Sequence, residues 1–231
     1  MSRFLKDWLQ SHPDPTVLFD LDGTLVDSVP DLTAAIDDML ITLDRAPAGE
    51  AQVSEWVGLG ARVLVQRALA GGPDQAAIAR LSPAEVAEAE ALFGEAYARR
   101  NGEQTRVMPG VWGLLDALRD RRCRLGVVTN KPERFIGPLL ARTELASYFA
   151  VWVGGDTLPQ RKPDPQPLAH AIAQLGGRRE ASLFIGDSTV DVETAHALGI
   201  PCLCYSGGYN QGQAIEDAGA DAVVDSYEGL L

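Results

Sequence analysis

The chain has 231 residues and a mass of 24.7 kDa, and its 46% hydrophobic and 23% charged residues are typical of a globular protein. Its formal net charge of -12 disfavours nucleic acid and anionic membrane surfaces as partners, because both attract clustered lysine and arginine. The three cysteines do not suit a disulfide framework, and no apolar run has the length of a membrane span, so we expect a cytoplasmic protein.

The segment 1–14 precedes the first predicted strand. Its apolar residues are Phe4, Leu5, Trp8 and Leu9, which predict a short amphipathic helical turn that packs on the body of the protein or on a partner. Charged residues interrupt this segment, so it lacks the apolar core of a secretion signal.

The next apolar run predicts a buried strand that ends in two carboxylates. Side chains repeat every second residue along a strand, so Asp20 and Asp22 share a face, where they repel unless a cation, a phosphate or a proton lies between them. A tight turn and two hydroxyls follow at Gly23, Thr24 and Ser28. An EF-hand calcium loop is excluded because the glycine falls at the fourth position from Asp20 instead of the sixth. An ordinary solvated turn stays open for this stretch taken alone.

Residues 28–104 show helical patterns and no strand pattern. Apolar residues recur at helical spacing, and glycines and prolines separate the pieces. Ser82, followed by Pro83 and Glu85, predicts the capped start of a long helix. The predicted helices cover residues 29–43, 53–57, 62–70 and 83–101.

From Pro109 onward, helical and strand patterns alternate. Such alternation predicts right-handed crossovers and a parallel sheet covered by helices on both faces. We therefore predict an α/β fold with a Rossmann-like parallel sheet core, formed by residues 1–27 and 105–231, and an inserted helical cap domain, formed by residues 28–104. The predicted helices cover residues 111–121, 135–142, 166–175 and 190–198, and the strands cover 125–128, 151–153, 182–185, 202–205 and 222–224.

Polar residues collect where three of these strands end. Ligands bind at the carboxyl ends of the strands in open parallel sheets, so we expect the following residues to meet: Asp20, Asp22, Thr129, Asn130 and Asp187. Each one taken singly is also a common turn or cap residue, but their joint placement indicates a site.

Phosphoryl transfer through an aspartate needs residues of these kinds. It requires a carboxylate nucleophile, a metal ion that limits repulsion between that anion and the phosphate, and an acid for the leaving oxygen. Asp20, Asp22 and Asp187 offer oxygens to Mg²⁺, a hard cation. Thr129 offers a hydroxyl and a main-chain N–H, and Lys162 offers positive charge.

Four ordered segments of the chain resemble the motifs of the haloacid dehalogenase superfamily of phosphatases. They are FDLDGTLVDS, the strand that ends in Thr129, Lys162-Pro163, and Gly186-Asp187-Ser188-Thr189-Val190-Asp191. The resemblance runs from Thr16 to the C-terminus and implies a role for each matched position. The implied roles are nucleophile for Asp20, general acid/base for Asp22, phosphate-holding hydroxyl for Thr129, charge-balancing lysine for Lys162 and metal carboxylate for Asp187, with the metal also on the carbonyl of Asp22 and support from Asp191.

Further segments resemble one group of that superfamily, the phosphoglycolate phosphatases. They are Trp56-Val57-Gly58-Leu59-Gly60, Thr129-Asn130-Lys131-Pro132, the loop 154–160 and Gly207-Gly208-Tyr209-Asn210. This resemblance implies Mg²⁺-dependent hydrolysis of 2-phosphoglycolate through an aspartyl-phosphate, by a monomer or homodimer. The presence of Asp22 argues against a dehalogenase or a phosphonatase, which lack this acid, and the extension 1–14 departs from the family pattern.

Other functions stay open. A hexose-phosphate mutase or another small-metabolite phosphatase shares the implied fold, and a phosphate-receiving signalling module uses a similar set of residues but needs neither a cap nor Asp22.

The predicted carboxylate contact lies in the cap. Gly58-Leu59-Gly60 precedes a helix whose free N–H groups favour an anion, and Arg62 in its first turn adds a charged donor. The alternative is that the glycines only separate two helices and that Arg62 faces water. The candidate substrate-binding residues are therefore Thr129, Asn130, Lys162 and Arg62.

Overall fold

The computed structural model describes residues 3–231, so Met1 and Ser2 lie outside the described residues. Its strands are β1 (Thr16–Phe19), β2 (Val26–Asp27), β3 (Arg106–Val107), β4 (Arg124–Val128), β5 (Val151–Val153), β6 (Ser182–Gly186), β7 (Cys202–Tyr205) and β8 (Ala222–Val224). Its α-helices are α1 (Phe4–Ser11), α2 (Val29–Thr42), α3 (Glu50–Trp56), α4 (Ala61–Ala70), α5 (Gln75–Ile78), α6 (Pro83–Arg100), α7 (Val111–Asp120), α8 (Glu133–Arg142), α9 (Gln166–Gln174) and α10 (Thr189–Leu198).

Six strands form one parallel sheet in the order β5-β4-β1-β6-β7-β8. The chain leaves β1 for β4 and β5 on one side, then returns to β6 on the other. Strand order therefore reverses at β1, which is where open α/β sheets bind ligands. This arrangement confirms the predicted Rossmann-like α/β core.

Helices cover both faces of the sheet. On one face the apolar core includes Leu115 of α7 and Leu139 of α8, and on the other it includes Leu168 of α9 and Val192 of α10. Helix α1 buries Leu5 and Trp8 in the first of these clusters. The N-terminal segment thus packs on the body of the protein, one of the two outcomes expected for it.

Helices α2 to α6 lie between β2 and β3 in the chain. Four of them, α2, α3, α4 and α6, bury a second apolar cluster, which Phe135 of α8 joins. The long helix α6 starts with a capping box, in which Glu85 N–H donates to Ser82 Oγ (3.2 Å) and Ser82 N–H donates to Glu85 Oε2 (2.9 Å). The carboxylate of Asp31 on α2 is buried and accepts main-chain N–H groups from Gly102 and Thr105, which fixes the chain where it leaves α6.

The helices and sheet strands lie where the patterns predict them, with ends that differ by a few residues. Two further elements were not predicted: the antiparallel pair β2–β3, in which Val26 faces Val107, and the short helix α5. Among residues 3–231, no helix is both long and apolar enough to cross a lipid bilayer.

Candidate active site

Asp20 lies directly after β1, at the point where strand order reverses, and is almost fully buried. Its main-chain N–H donates to the carbonyl of Ile185 on β6 (2.9 Å). Its Oδ1 accepts the N–H of Leu21 (2.7 Å), and its Oδ2 lies 2.9 Å from Nζ of Lys162. The main chain and a lysine therefore hold both carboxylate oxygens in fixed directions.

Asp187 follows β6 at the same edge of the sheet. Its Oδ1 accepts a hydrogen bond from Thr24 Oγ1 (2.5 Å), and its Oδ2 accepts the N–H of Tyr209 (2.6 Å). Gly23 has a φ of +87°, and a Cβ at that position would lie 2.2 Å from Asp187 Oδ2. The predicted tight turn at Gly23 is confirmed, and a side chain there would displace Asp187.

Lys162 and Asp191 form a buried ion pair next to these two residues. Nζ of Lys162 lies 2.7 Å from Asp191 Oδ1 in addition to its contact with Asp20. The other oxygen of Asp191 accepts the N–H groups of Asp187 (3.1 Å) and Ser188 (3.0 Å). Because both of its oxygens are engaged, Asp191 shapes the loop after β6.

The pKa values reflect this concentration of buried charge. Burial raises the pKa of Asp20 to about 6, against the opposing effect of the Lys162 ammonium. Burial and the charges of Asp191 and Asp20 raise the pKa of Asp187 well above its usual range. Burial acts to lower the pKa of Lys162, but Asp191 and Asp20 outweigh it and raise this pKa, so the lysine stays charged.

The carboxylates fit a divalent cation. Oxygen atoms of Asp20, Asp187 and Asp191 lie within 4.8 Å of one another. Asp191 is completely buried, whereas Asp20 and Asp187 keep a small exposed area, so these two are the carboxylates that we expect an ion to reach. An all-oxygen donor set with excess negative charge suits a hard cation, which would also offset the repulsion between the carboxylates.

The loop after β4 brings Thr129 and Asn130 to the site. Thr129 Oγ1 accepts the N–H of Lys131 (3.3 Å). The amide Nδ2 of Asn130 donates to the carbonyls of Lys162 and Gly58, at 3.2 Å in each case. Because Gly58 belongs to the segment between α3 and α4, Asn130 ties the sheet edge to the helices above it.

Asp22 contacts a different lysine from Asp20. Nζ of Lys131 lies 3.0 Å from its Oδ1 and 3.2 Å from its Oδ2, and Ser28 Oγ donates to Oδ1 (2.6 Å). Lys131 is only 5% exposed, and its Nζ also donates to Oη of Tyr97 (2.6 Å) on α6. Burial acts to lower the pKa of Lys131, but the charge of Asp22 and the contact with Tyr97 outweigh it and raise this pKa. Each of the paired aspartates thus has its own buried lysine.

A cavity lies between the sheet edge and helices α2 to α6. Asp20, Asp22, Thr129 and Lys131 line it from the sheet side, and Tyr97 lines it from the helices. Among the described residues, no other lysine or arginine lines this cavity. Much of the remaining wall is apolar and comes from Leu32, Val57, Leu64, Phe93 and Phe135.

The structure does not bring Arg62 to this cavity. Its Nη1 lies 2.6 Å from Oε2 of Glu90, and its side chain is 51% exposed. Arg67, the buried arginine of α4, donates instead to the carbonyl of Trp56 (3.1 Å) and to Oε1 of Gln211 (2.9 Å). The role predicted for Arg62 in binding a carboxylate has no support from these contacts.

Three residues at the site escaped the sequence analysis as individual candidates: Lys131, Tyr97 and Tyr209. Lys131 follows a strand end and is one of only three lysines in the chain, a signal that could have identified it. Tyr209 donates its hydroxyl to Asp27 and its N–H to Asp187. Tyr97 lies inside a long helix, and its local sequence carries no sign of a role.

Comparisons with known proteins agree with this geometry. A model of the haloacid dehalogenase-like hydrolase family matches residues 15–199. The chain is 48% identical over 215 residues to a phosphoglycolate phosphatase of Pseudomonas putida and, equally, to phosphoglycolate phosphatase 1 of Pseudomonas aeruginosa. Each alignment covers 93% of this chain and 78% of the relative. The fold is similar to the crystal structure of a predicted phosphoglycolate phosphatase from Haemophilus somnus 129pt, with a TM-score of 0.86, 34% identity and coverage of 94% of this chain and 96% of that chain.

Proposed function

Because this chain belongs to the haloacid dehalogenase-like hydrolase family, as its motifs predicted, we propose that it is a phosphatase that hydrolyses 2-phosphoglycolate to glycolate and phosphate. The observation that carries the proposal is the buried carboxylate of Asp20 at the switch point of the sheet, with Lys162 2.9 Å away and Asp187 beside it. The names of the relatives at 48% identity support the substrate.

In the first proposed step, a carboxylate oxygen of Asp20 attacks phosphorus. The bond between phosphorus and the ester oxygen breaks, and Asp22 donates its proton to that oxygen, so glycolate leaves as an alcohol. The phosphoryl group is then carried by Asp20 as an aspartyl-phosphate.

In the second step, water hydrolyses this intermediate. Asp22, now a carboxylate, takes a proton from the water as its oxygen attacks phosphorus, and the bond to Asp20 breaks. Phosphate is released, Asp20 is regenerated, and Asp22 holds the proton for the next turnover.

Several groups stabilise charge on the transferring phosphate in this proposal. The hydroxyl of Thr129 and the ammonium of Lys162 contact its oxygens, and Asn130 joins the two loops that carry these residues by donating to the carbonyl of Lys162. Mg²⁺, held by Asp20, Asp187 and the main-chain carbonyl of Asp22, would supply the positive charge that limits repulsion between the nucleophile and the phosphate.

The proposal assigns residues 28–104 to a cap over a core of residues 1–27 and 105–231. Support comes from the second apolar cluster, formed mainly by α2, α3, α4 and α6, and from β2 and β3, which pair where the chain enters and leaves this region. The cytoplasmic setting stays a prediction, supported by three cysteines that are free.

A screen of phosphorylated metabolites at neutral pH tests this function. We expect the highest kcat/KM with 2-phosphoglycolate in Mg²⁺ and loss of turnover with a chelator. A higher kcat/KM with another metabolite would contradict the substrate, and full turnover in chelator would contradict the metal. Conversion of a sugar 1-phosphate to its 6-phosphate would instead identify a mutase.

A further inference from the structure

We propose that Lys131 and Tyr97 bind the carboxylate of the substrate and thereby select phosphate esters that carry a carboxylate one methylene from the ester oxygen. This inference rests on the function proposed above and assigns the residues that distinguish 2-phosphoglycolate from a neutral ester. Neither residue takes part in the phosphoryl-transfer steps described there.

The position of Lys131 is the first argument. Its ammonium lies 3.0 Å from Oδ1 of Asp22, the proposed acid for the ester oxygen, so it lies close to where that oxygen would bind. In 2-phosphoglycolate a single methylene carbon separates the ester oxygen from the carboxylate. A carboxylate at that spacing falls within reach of the Lys131 ammonium when the phosphate is on Asp20.

The other nearby cations do not line the cavity, and this is the second observation. Lys162 contacts Asp20 and Asp191, is assigned to the phosphate in the proposed function, and is not part of the cavity wall. Arg62 pairs with an exposed glutamate, and Arg67 donates to a main-chain carbonyl and a glutamine. Among the described residues, Lys131 is therefore the cation that the cavity presents to a second anionic group of the substrate.

The unused proton of Tyr97 is the third argument. A lysine ammonium has only donors, so in the 2.6 Å contact the phenol oxygen accepts and its own proton remains to be donated. Among the described residues, no hydrogen bond from this hydroxyl to an acceptor is formed, although Tyr97 is 1% exposed and lines the cavity. Burial raises the pKa of Tyr97 to about 12, so it keeps this proton at neutral pH. A substrate carboxylate would satisfy the donor.

The ammonium can serve Asp22 and the substrate together. Lysine carries three rotatable donors on a compact head, and a carboxylate accepts several hydrogen bonds. The ammonium also lies 4.6 Å from the centre of the Tyr97 ring, and this cation–π contact favours its position in the cavity. The substrate carboxylate would then receive one hydrogen bond from Lys131 and one from Tyr97.

Two esters that differ only in the carboxylate test this inference. We expect wild type to prefer 2-phosphoglycolate over 2-hydroxyethyl phosphate, in which CH₂OH replaces the carboxylate. Tyr97→Phe should lower the ratio of their kcat/KM values about tenfold, and Lys131→Met roughly 100-fold, since each removes a hydrogen bond to a charged group. The matched controls are Tyr148→Phe, whose hydroxyl bonds Asp116 on the surface, and Lys6→Met, and both should leave the ratio unchanged.

Binding provides a readout that is independent of turnover. The inhibitor 3-phosphonopropionate has the shape of 2-phosphoglycolate but a stable carbon–phosphorus bond, and propylphosphonate lacks its carboxylate. Tyr97→Phe and Lys131→Met should each reduce the ratio by which the protein binds 3-phosphonopropionate more tightly than propylphosphonate. Tyr97→Phe keeps the ring that packs on Phe93 and Phe135, so it decides the matter even if Lys131→Met fails to fold.

The inference would be overturned if the variants lost kcat/KM equally on both esters and kept the wild-type preference between the two inhibitors. Lys131 and Tyr97 would then only orient Asp22. The proposed function fails by a different result, namely equal kcat/KM values of the wild-type enzyme for the two esters.

Discussion

Lys162→Met removes the ammonium that faces the buried carboxylates at the sheet edge. That ammonium lies 2.9 Å from Asp20 and 2.7 Å from Asp191, and the lysine side chain is 2% exposed. Methionine is also long and unbranched, so the loss of packing is small and the effect is mainly electrostatic. Without metal, the carboxylates of Asp20 and Asp191 would stay buried without the lysine charge, or one of them would take up a proton.

The expected loss of stability is large. Removing one partner of a buried ion pair costs about 3–5 kcal/mol in the free energy of unfolding. In a protein of this length each kcal/mol shifts Tm by about 2–4 °C, so metal-free Lys162→Met should unfold roughly 6–20 °C below wild type. Mg²⁺ between Asp20 and Asp187 would restore positive charge next to the same carboxylates. It should therefore raise the Tm of the variant by more than it raises that of wild type.

Thermal unfolding followed by circular dichroism, once in chelator and once in saturating Mg²⁺, measures both effects. Lys6→Met makes the same chemical change at an exposed lysine of α1 and should leave Tm unchanged in both conditions. A metal-free Tm for Lys162→Met equal to that of wild type would refute the reasoning. An increase in Tm with Mg²⁺ no larger than that of wild type would refute its electrostatic part.

Four further results are expected at the same site. Asp20→Asn should abolish phosphate release because no aspartyl-phosphate can form, and turnover by the folded variant would remove Asp20 from the nucleophile role. Asp22→Ala should slow 2-phosphoglycolate more than nitrophenyl phosphate, whose leaving group needs no proton; equal losses would speak against the acid role. Asp187→Ala should weaken Mg²⁺ binding in a calorimetric titration without unfolding the protein, and a wild-type affinity would contradict the assignment. Because burial raises the pKa of Asp20 to about 6, protons compete with Mg²⁺ for this carboxylate below that pH. The apparent Mg²⁺ affinity should therefore fall as the pH drops through about 6, and an affinity independent of pH would contradict this prediction.

The fold could be predicted because its signals are local. Apolar periodicity and helix caps lie within single segments, so the capped helix start at Ser82 and the strand β4 were predicted directly. The pair β2–β3 was missed because each strand has two residues, and because helices α2 to α6 separate Asp27 from Arg106 in the chain. Neither two-residue segment has a strand pattern that can be recognised from its own sequence.

The sheet edge of the site was predictable for a topological reason. The carboxyl ends of parallel strands share one edge, so the ends of β1, β4 and β6 had to bring Asp20, Thr129 and Asp187 together. The contacts between the sheet edge and the helices depend instead on packing between elements that lie far apart in the chain. Tyr97 reaches the site because α6 packs its ring against Phe135, with centroids 5.0 Å apart, and no local pattern encodes that contact.

The choice of cation at the site follows from size and shape. The chain has seventeen arginines but only three lysines, and two of those lysines are buried beside Asp20 and Asp22. A compact ammonium with rotatable donors fits between two acceptors, as Lys131 does between Asp22 and Tyr97, whereas a planar guanidinium needs more room. Arg62 met the criterion of a charge near a helix N-terminus, yet it forms the exposed ion pair that surface arginines commonly form. In an acidic chain that places its arginines mostly elsewhere, a lysine just after a strand end is therefore the stronger sequence signal for a cation at the sheet edge.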